Sequence, residues 1–335
     1  MTRSGLVIAG YYGFGNAGDE LILSALVREY KDKYPPQKIT VLSSNPSETR
    51  RFFAVQAVNR WNMLMWLKPM LRAELFVLGG GGLLQESSGP LNHLYYLSTI
   101  AVAKILGCRT ETRALGIDPA GSVFNRLLTR LVFGKSVDSI SVRDRHSAEA
   151  LREAGVMQPV RIEPDPVLSL KQSVLEAPSL QPARIGLAVS PGHSCRLSAA
   201  NVGDIVRRLS KLAPVDLLVF FPKEDAAFAA EVRRLSGVNP EIRNWTIPDE
   251  CLDWMHDYAL VAGTRFHALA LAAAAERSFV GWGGEQKIQA LCEQFGQPLW
   301  LLKNPWNTES VLKQLMNAWE DRHNLAEKYP PHIGN

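Results

Sequence analysis

Short apolar runs alternate with amphipathic stretches along most of the chain. Residues 6–9, 39–42 and 75–78 have the length and β-branched, leucine-rich composition of buried strands. Residues 110–117 and 139–142 read as two more. Between them, residues 19–31 and 91–106 carry apolar side chains at helical spacing. The alternation pauses at residues 169–182, SLKQSVLEAPSLQP, where two prolines and no period mark a linker. It then resumes, with strands expected at 185–189, 217–221, 259–261, 279–280 and 299–302, and helices at 199–212, 224–236, 267–276 and 286–295. Strand–helix alternation of this kind predicts parallel sheets covered by helices on both faces. The expected architecture is α/β, with two Rossmann-like domains at residues 1–175 and 176–335, parallel sheets and a central cleft. The last helix is able to pack back on the first domain. Ligands of such sheets bind beyond the carboxyl ends of the strands, so the loops that follow strands are the places to look.

The length of 335 residues suits about two domains, and 46% hydrophobic with 21% charged residues is ordinary for a globular protein. A formal net charge of +4 is too small to argue for nucleic acid but suits an anionic small ligand or an anionic membrane face. Cys108, Cys195, Cys251 and Cys292 are far apart and form no C-x-x-C pair, so they read as reduced, mostly buried thiols. The apolar run at residues 6–9 is too short for a signal peptide, and no run of about 18 apolar residues predicts a membrane span. A cytoplasmic protein is expected.

The first strand leads into GYYGFGNAGDE, whose glycines at 13, 15 and 18 spell G-x-G-x-x-G before a helix. This is the context of a phosphate loop. Two features argue against a dinucleotide. The second strand ends in Leu42-Ser43-Ser44-Asn45, with no acid for a ribose, and the helix opens with Asp19-Glu20, which would repel a pyrophosphate. No Gly-Lys-Ser/Thr follows, so a Walker loop is excluded. What is left is either a tight turn with acidic capping or a loop, with Gly15, Asn16 and Gly18, in which Asp19 faces the cleft and contacts sugar hydroxyls. The second run, Gly79 to Gly82, follows a strand and leaves bare backbone for a ligand, with Gly81 and Gly82 the expected contacts.

Cations cluster at other strand ends. In Ser141-Val-Arg143-Asp-Arg145-His146, Arg143 emerges at the carboxyl edge, with Arg145 opening the helix. The alternative is a solvated Arg-Asp-Arg turn. Asp165, between Pro164 and Pro166, reads as structural. In Gly263-Thr-Arg265-Phe-His267, an apolar strand delivers Arg265 and His267 to the start of an Ala/Leu helix, and Arg, His and a helix N-terminus together make an anion site. The next strand end adds Lys287.

Taken together, GYYGFGNAGDE, GGGGLLQES with HLYYL, SVRDRHSAEALREAG with EPDPVL, and GTRFHALALAAA with the glycine-rich turn leading to Lys287 resemble the polysaccharide pyruvyl transferase family. Proteins of this family transfer the enolpyruvyl unit of phosphoenolpyruvate to a sugar and form a cyclic pyruvate ketal. The resemblance implies two Rossmann-like domains in a GT-B-like fold, with the acceptor on the first domain and phosphoenolpyruvate on the second. It also implies roles for Asp19, Arg143, His267 and Lys287. Two places depart from the family pattern. Gly284-Glu285 stands where Tyr-Asp is usual, and the loop from Ser190 reaches an arginine only at Arg196, the candidate donor contact there. No metal ligand set is apparent, and no cofactor is implied beyond phosphoenolpyruvate as donor substrate. The expected partners are that donor and a saccharide acceptor of the cell wall or surface, lipid-linked in many relatives, with no nucleic acid.

Two rival functions remain at this level. A retaining GT-B glycosyltransferase using a nucleotide sugar would carry two glutamates eight positions apart, whereas Glu276 and Glu285 are nine apart. A non-catalytic nucleotide-binding protein would not need the Arg-His-Lys set. Finally, residues 60–72, RWNMLMWLKPMLR, read either as a core helix shortened by Pro69 or as an interfacial segment. In the second case they would make peripheral contact with the inner face of the cytoplasmic membrane.

Overall fold

A computed structural model describes residues 3–84, 90–119, 121–170, 184–191, 197–301 and 306–327. Contacts divide the chain into two units, one of Met1–Phe14 with Asp19–Pro166 and one of Gly15–Gly18 with Val167–Asn335.

The first unit contains β1 (Gly5–Ala9), α1 (Ala17–Tyr30), β2 (Ile39–Ser43), α2 (Pro46–Phe53), β3 (Gln56–Asn59), α3 (Met63–Arg72) and β4 (Ala73–Leu78). There follow β5 (Gly81–Leu84), α4 (Pro90–Ile105), β6 (Arg109–Thr112), β7 (Leu115–Ile117), α5 (Val123–Ser136), β8 (Ile140–Val142), α6 (Arg145–Glu153) and β9 (Val160–Ile162). These strands form two parallel sheets, in the orders β3-β2-β1-β4-β6 and β5-β7-β8-β9. The single strand expected over residues 110–117 is thus two. Ala114 turns left-handed (φ 45°), and the chain passes from β6 in one sheet to β7 in the other. The glycine run makes the same passage from β4 to β5. One core of Val7, Phe76, Leu78, Tyr96, Leu115 and Phe133 lies under both sheets. The short strands β3, β5 and β9 carry too few apolar residues to register as buried strands in the sequence.

The second unit contains β10 (Arg184–Ala188), α7 (Ala199–Leu209), β11 (Val215–Val219), α8 (Pro222–Ser236), β12 (Glu241–Asn244) and α9 (Glu250–Trp254). It continues with β13 (Tyr258–Gly263), α10 (Phe266–Ala274), β14 (Ser278–Trp282), α11 (Gln286–Phe295), β15 (Leu299–Trp300), α12 (Thr308–Glu320) and α13 (Arg322–Glu327). Its strands form one parallel sheet in the order β12-β11-β10-β13-β14-β15. The α10 helix buries nearly every residue, as its Ala/Leu sequence requires. The α13 helix packs on β14, where Ser278 Oγ donates to Arg322 O (2.6 Å).

The strand order reverses direction at β1/β4 in the first unit and at β10/β13 in the second. At such switch points the outgoing loops diverge and leave room for a ligand. Residues 10–16 and 79–80 leave the first, and residues 189–191 and 264–265 leave the second.

The α3 helix is neither a plain core helix nor shortened. It runs three residues past Pro69 to Arg72. Proline removes a donor to the Met65 carbonyl, but Met65 is exposed, so water can take that bond. Trp66 and Met70 are buried, while Trp61, Met63, Leu64, Met65, Leu67 and Leu71 are exposed. Among the described residues no helix is long and apolar enough to cross a membrane. Cys108, Cys251 and Cys292 are buried free thiols, as their spacing implied. Cys195 lies outside the described residues.

Candidate functional site

The opening glycine loop is bonded to its own helix and to the end of β11. Glu20 Oε1 accepts from Gly13 N (2.7 Å), Asn16 Oδ1 from Gly18 N (3.1 Å), and Phe220 O from Ala17 N (2.9 Å). Three of the loop's backbone donors, those of Gly13, Ala17 and Gly18, are therefore spent on the protein's own acceptors. Gly13 is required by space as well. It has φ 78°, and a Cβ there would stand 2.2 Å from Ser43 Oγ. The acidic-turn reading of this loop accounts for Gly13, Asn16 and Glu20.

Burial pushes the Glu20 carboxyl up to about 8, against the pull of the Gly13 N–H, with the neighbouring Asp19 charge adding to the rise. Glu20 is thus largely protonated at neutral pH. Asp19 is buried in the first turn of α1, with Oδ1 only 2.9 Å from where a Gly81 Cβ would stand. The second glycine run is likewise filled mainly by protein. A Cβ at Gly79 would meet Tyr12 Oη at 2.0 Å, and one at Gly80 would press on the Arg113 and Ala114 carbonyls at 3.3 Å. The sequence suggested bare backbone awaiting a ligand here, but Tyr12, Asp19 and the β6–β7 turn occupy that space. Gly82 is partly exposed.

Arg143 extends from the end of β8 across Gly116, where a Cβ would sit 2.5 Å from its Cζ, and Nε donates to Asp144 Oδ2 (3.1 Å). Burial would raise the Asp144 carboxyl, but hydrogen bonds from Ser147 and the Arg143 charge outweigh it and hold it below the usual range. Arg145 is exposed on the first turn of α6.

The second unit carries the other candidates. β13 and β14 are paired neighbours with Gly263 opposite Gly281, so the loops carrying Arg265, His267 and Lys287 leave the sheet side by side. Gly18, which belongs to this unit, lies against His267: a Cβ there would stand 1.9 Å from Nδ1. The α10 helix opens at Arg265 with no side-chain cap and no acid in its first turn. Thr264 N and Arg265 N both donate to Ala188 O (2.9 and 3.2 Å), and Thr264 Oγ1 accepts from Ser190 N (3.0 Å). The ends of β10 and β13 are thereby tied together at the switch point.

Arg265 is not a bare cation. Its Nε donates to both oxygens of buried Asp225 (3.1 and 3.0 Å), and its Nη2 donates to Glu224 Oε2 (2.7 Å) and also to Asp225. Asp225 also accepts from Phe221 N (2.9 Å). These two acids open α8 at the end of β11, which β10 separates from β13, and the sequence reading passed over them. Two carboxylates in the first turn of a helix that follows a strand were the available signal. Lys287 pairs with Glu285 at 2.6 Å on the approach to α11. Arg196 lies outside the described residues.

Comparison with known proteins gives the family and the fold. Folds similar to this one include a UDP-N-acetylglucosamine 2-epimerase, described as putative, from Listeria monocytogenes, at 11% identity and TM-score 0.63, covering 98% of this chain and 91% of that one. Anabaena HepE in complex with UDP-glucose aligns at 10% identity and TM-score 0.58, covering 97% and 92%. Acinetobacter baumannii MurG aligns at 12% identity and TM-score 0.52, covering 98% and 95%. No curated protein matches the chain by sequence. The glycosyltransferase and epimerase neighbours agree with an α/β, GT-B-like fold of parallel sheets. The model of the family described as polysaccharide pyruvyl transferase matches residues 16–282, a span that includes Asp19, Arg143 and His267 and stops just short of Lys287. With most of its length matched, the chain belongs to the polysaccharide pyruvyl transferase family, and it is a transferase.

Proposed function

We propose that the protein transfers the enolpyruvyl unit of phosphoenolpyruvate to a saccharide of a cell-wall or surface polysaccharide precursor. The products are a pyruvate ketal and phosphate. Beyond family membership, one observation carries the reading. His267 stands at the uncapped start of α10, against Gly18, and the next residue in the chain is the buried carboxylate Asp19.

In this reading the donor's anionic groups bind at the first turn of α10 with His267 and Lys287. Arg265 contributes mainly by position, because Asp225 and Glu224 already hold its fork and offset its charge. His267 gives a proton to C3 of the enol, which becomes a methyl group and leaves C2 electrophilic. Asp19 takes the proton of one sugar hydroxyl as its oxygen bonds to C2. The C2–O bond to phosphate breaks, and a second hydroxyl of the same sugar closes the ketal. One hydroxyl proton replaces the one His267 gave, and the other leaves with phosphate.

The test offers phosphoenolpyruvate or UDP-sugars with candidate saccharides, free and lipid-linked, and reads products by mass spectrometry with phosphate release. A pyruvyl adduct with equimolar phosphate is expected. A hexosyl adduct from the UDP-sugar alone would replace this reading with nucleotide-sugar glycosyl transfer, the alternative favoured by neighbours solved with UDP-glucose. Phosphoenolpyruvate at a hundredfold excess over Kd should stabilise the fold by about 2.7 kcal/mol, and NAD should not. Asp19→Asn should lose turnover while phosphoenolpyruvate still raises the melting temperature.

A further inference from the structure

The exposed face of α3 is part of a larger surface on the first unit. On α4, the Tyr95 ring meets Trp61 and Trp66 (5.8 and 5.7 Å between centroids), while His93 bonds Thr129 of α5 (2.8 Å). Positions two apart on a helix point about 200° apart, so α4 lies between α3 and α5. Each helix leaves apolar side chains in solvent. Relative exposure reaches 64% at Trp61 just before α3 and 78% at Leu64 on it, 78% at Leu91 on α4, and 64% at Phe124 and 52% at Leu127 on α5.

None of the three helices contains an Asp or Glu. Lys68, Arg72, Arg126, Arg130 and Lys135 are exposed on them. Beside α3, at the amino ends of β1, β2 and β3, is a groove of about 650 Å³ lined by Leu64, Met65 and Pro69 together with the cations Lys38, Lys68 and Arg72. No acid lines it. Apolar side chains with Lys and Arg stems among them match the boundary between acyl chains and phosphates. A second copy of the same face would bring like charges together, which disfavours self-association through it.

We propose that the outer faces of α3, α4 and α5 dock the first unit on an anionic phospholipid bilayer, with the groove beside α3 receiving a headgroup phosphate. The proposal does not rest on pyruvyl transfer, and its test uses no turnover. The full chain is sedimented with vesicles of phosphatidylcholine alone or mixed with phosphatidylglycerol, at low and high salt. Binding only to the mixed vesicles, weakened by salt, is expected. Lys68→Glu with Arg72→Glu should weaken it by more than roughly fivefold per position, because fivefold corresponds to losing one cation near the surface and reversal also adds repulsion. Leu64→Ser with Leu67→Ser, and separately Phe124→Ser with Leu127→Ser, should each release most of the bound protein. All of these positions are exposed, and circular dichroism with melting verifies the fold. Should a serine pair misfold, Arg126→Glu with Arg130→Glu tests α5 in its place. Protein left in the supernatant, equal binding to phosphatidylcholine alone, or indifference to the α5 substitutions would overturn the proposal. So would self-association, measured by light scattering, that the same substitutions abolish.

Discussion

The two switch points look alike in sequence and differ in electrostatics. Each strand, β1 or β13, runs into a glycine, Gly10 or Gly263, ahead of a helix start. At β1, the helix brings Asp19 and Glu20, and the loop N–H groups bond inward to Glu20, Asn16 and a carbonyl. At β13, the helix brings His267 and no acid, and no side chain caps it. The first end is therefore acidic and internally satisfied, while the second leaves the positive end of α10 without a side-chain cap or an acid in its first turn. What separates them is where the nearest acids sit. Glu20 reaches back to its own loop, whereas Asp225 and Glu224 come from the end of β11, across β10 from β13, and hold Arg265 instead of capping α10.

The largest expected effect comes from breaking that last arrangement. Arg265→Ala leaves buried Asp225 without its guanidinium and should cost about 3–5 kcal/mol in denaturant unfolding. A loss below about 1 kcal/mol would mean that Asp225 is held well enough by Phe221 N alone, and that Arg265 is available to a ligand. Next in size, His267→Ala should lower kcat at least about a hundredfold, or ~2.7 kcal/mol in the barrier, with melting unchanged. Parallel losses of activity and stability would make His267 a packing residue against Gly18.

A smaller effect is expected at Glu20. Its carboxyl is raised in the folded state, so the stability it contributes is complete below its unfolded value and lost as pH climbs through about 8. Between pH 6 and 8 the protein should lose about 2 kcal/mol relative to Glu20→Gln, read as the difference between the two pH–stability curves. Parallel curves would place a charged Glu20 in the loop at neutral pH. The smallest effect is at Gly15, which has φ 81° but nothing near a Cβ. Gly15→Ala should cost only the backbone term, about 1 kcal/mol, whereas Gly13→Ala also meets Ser43 and should cost more. Equal losses at the two positions would remove the packing argument for Gly13.

Local pattern determined much of this protein. Alternating apolar runs and helical periods located most of the elements, because a strand buried on both faces and an amphipathic helix each leave a periodic signature in the chain. The order of those elements was enough to expect parallel α/β sheets. Residue chemistry at the strand ends was enough to place Arg265 and His267 at the start of α10, since the β13–α10 signal is contiguous. Tertiary structure decided the rest. The split of residues 110–117 into strands of two sheets depends on pairing with β4 and β5, which are far off in sequence. The filling of the Gly79–Gly81 space by Tyr12 and Asp19 depends on close approach between distant segments. The neutralisation of Arg265 depends on β11 lying next to β10, one strand from β13. Periodicity records which face of an element is buried, but not which neighbour buries it. Only pairing across the sheets brings a charge to its partner.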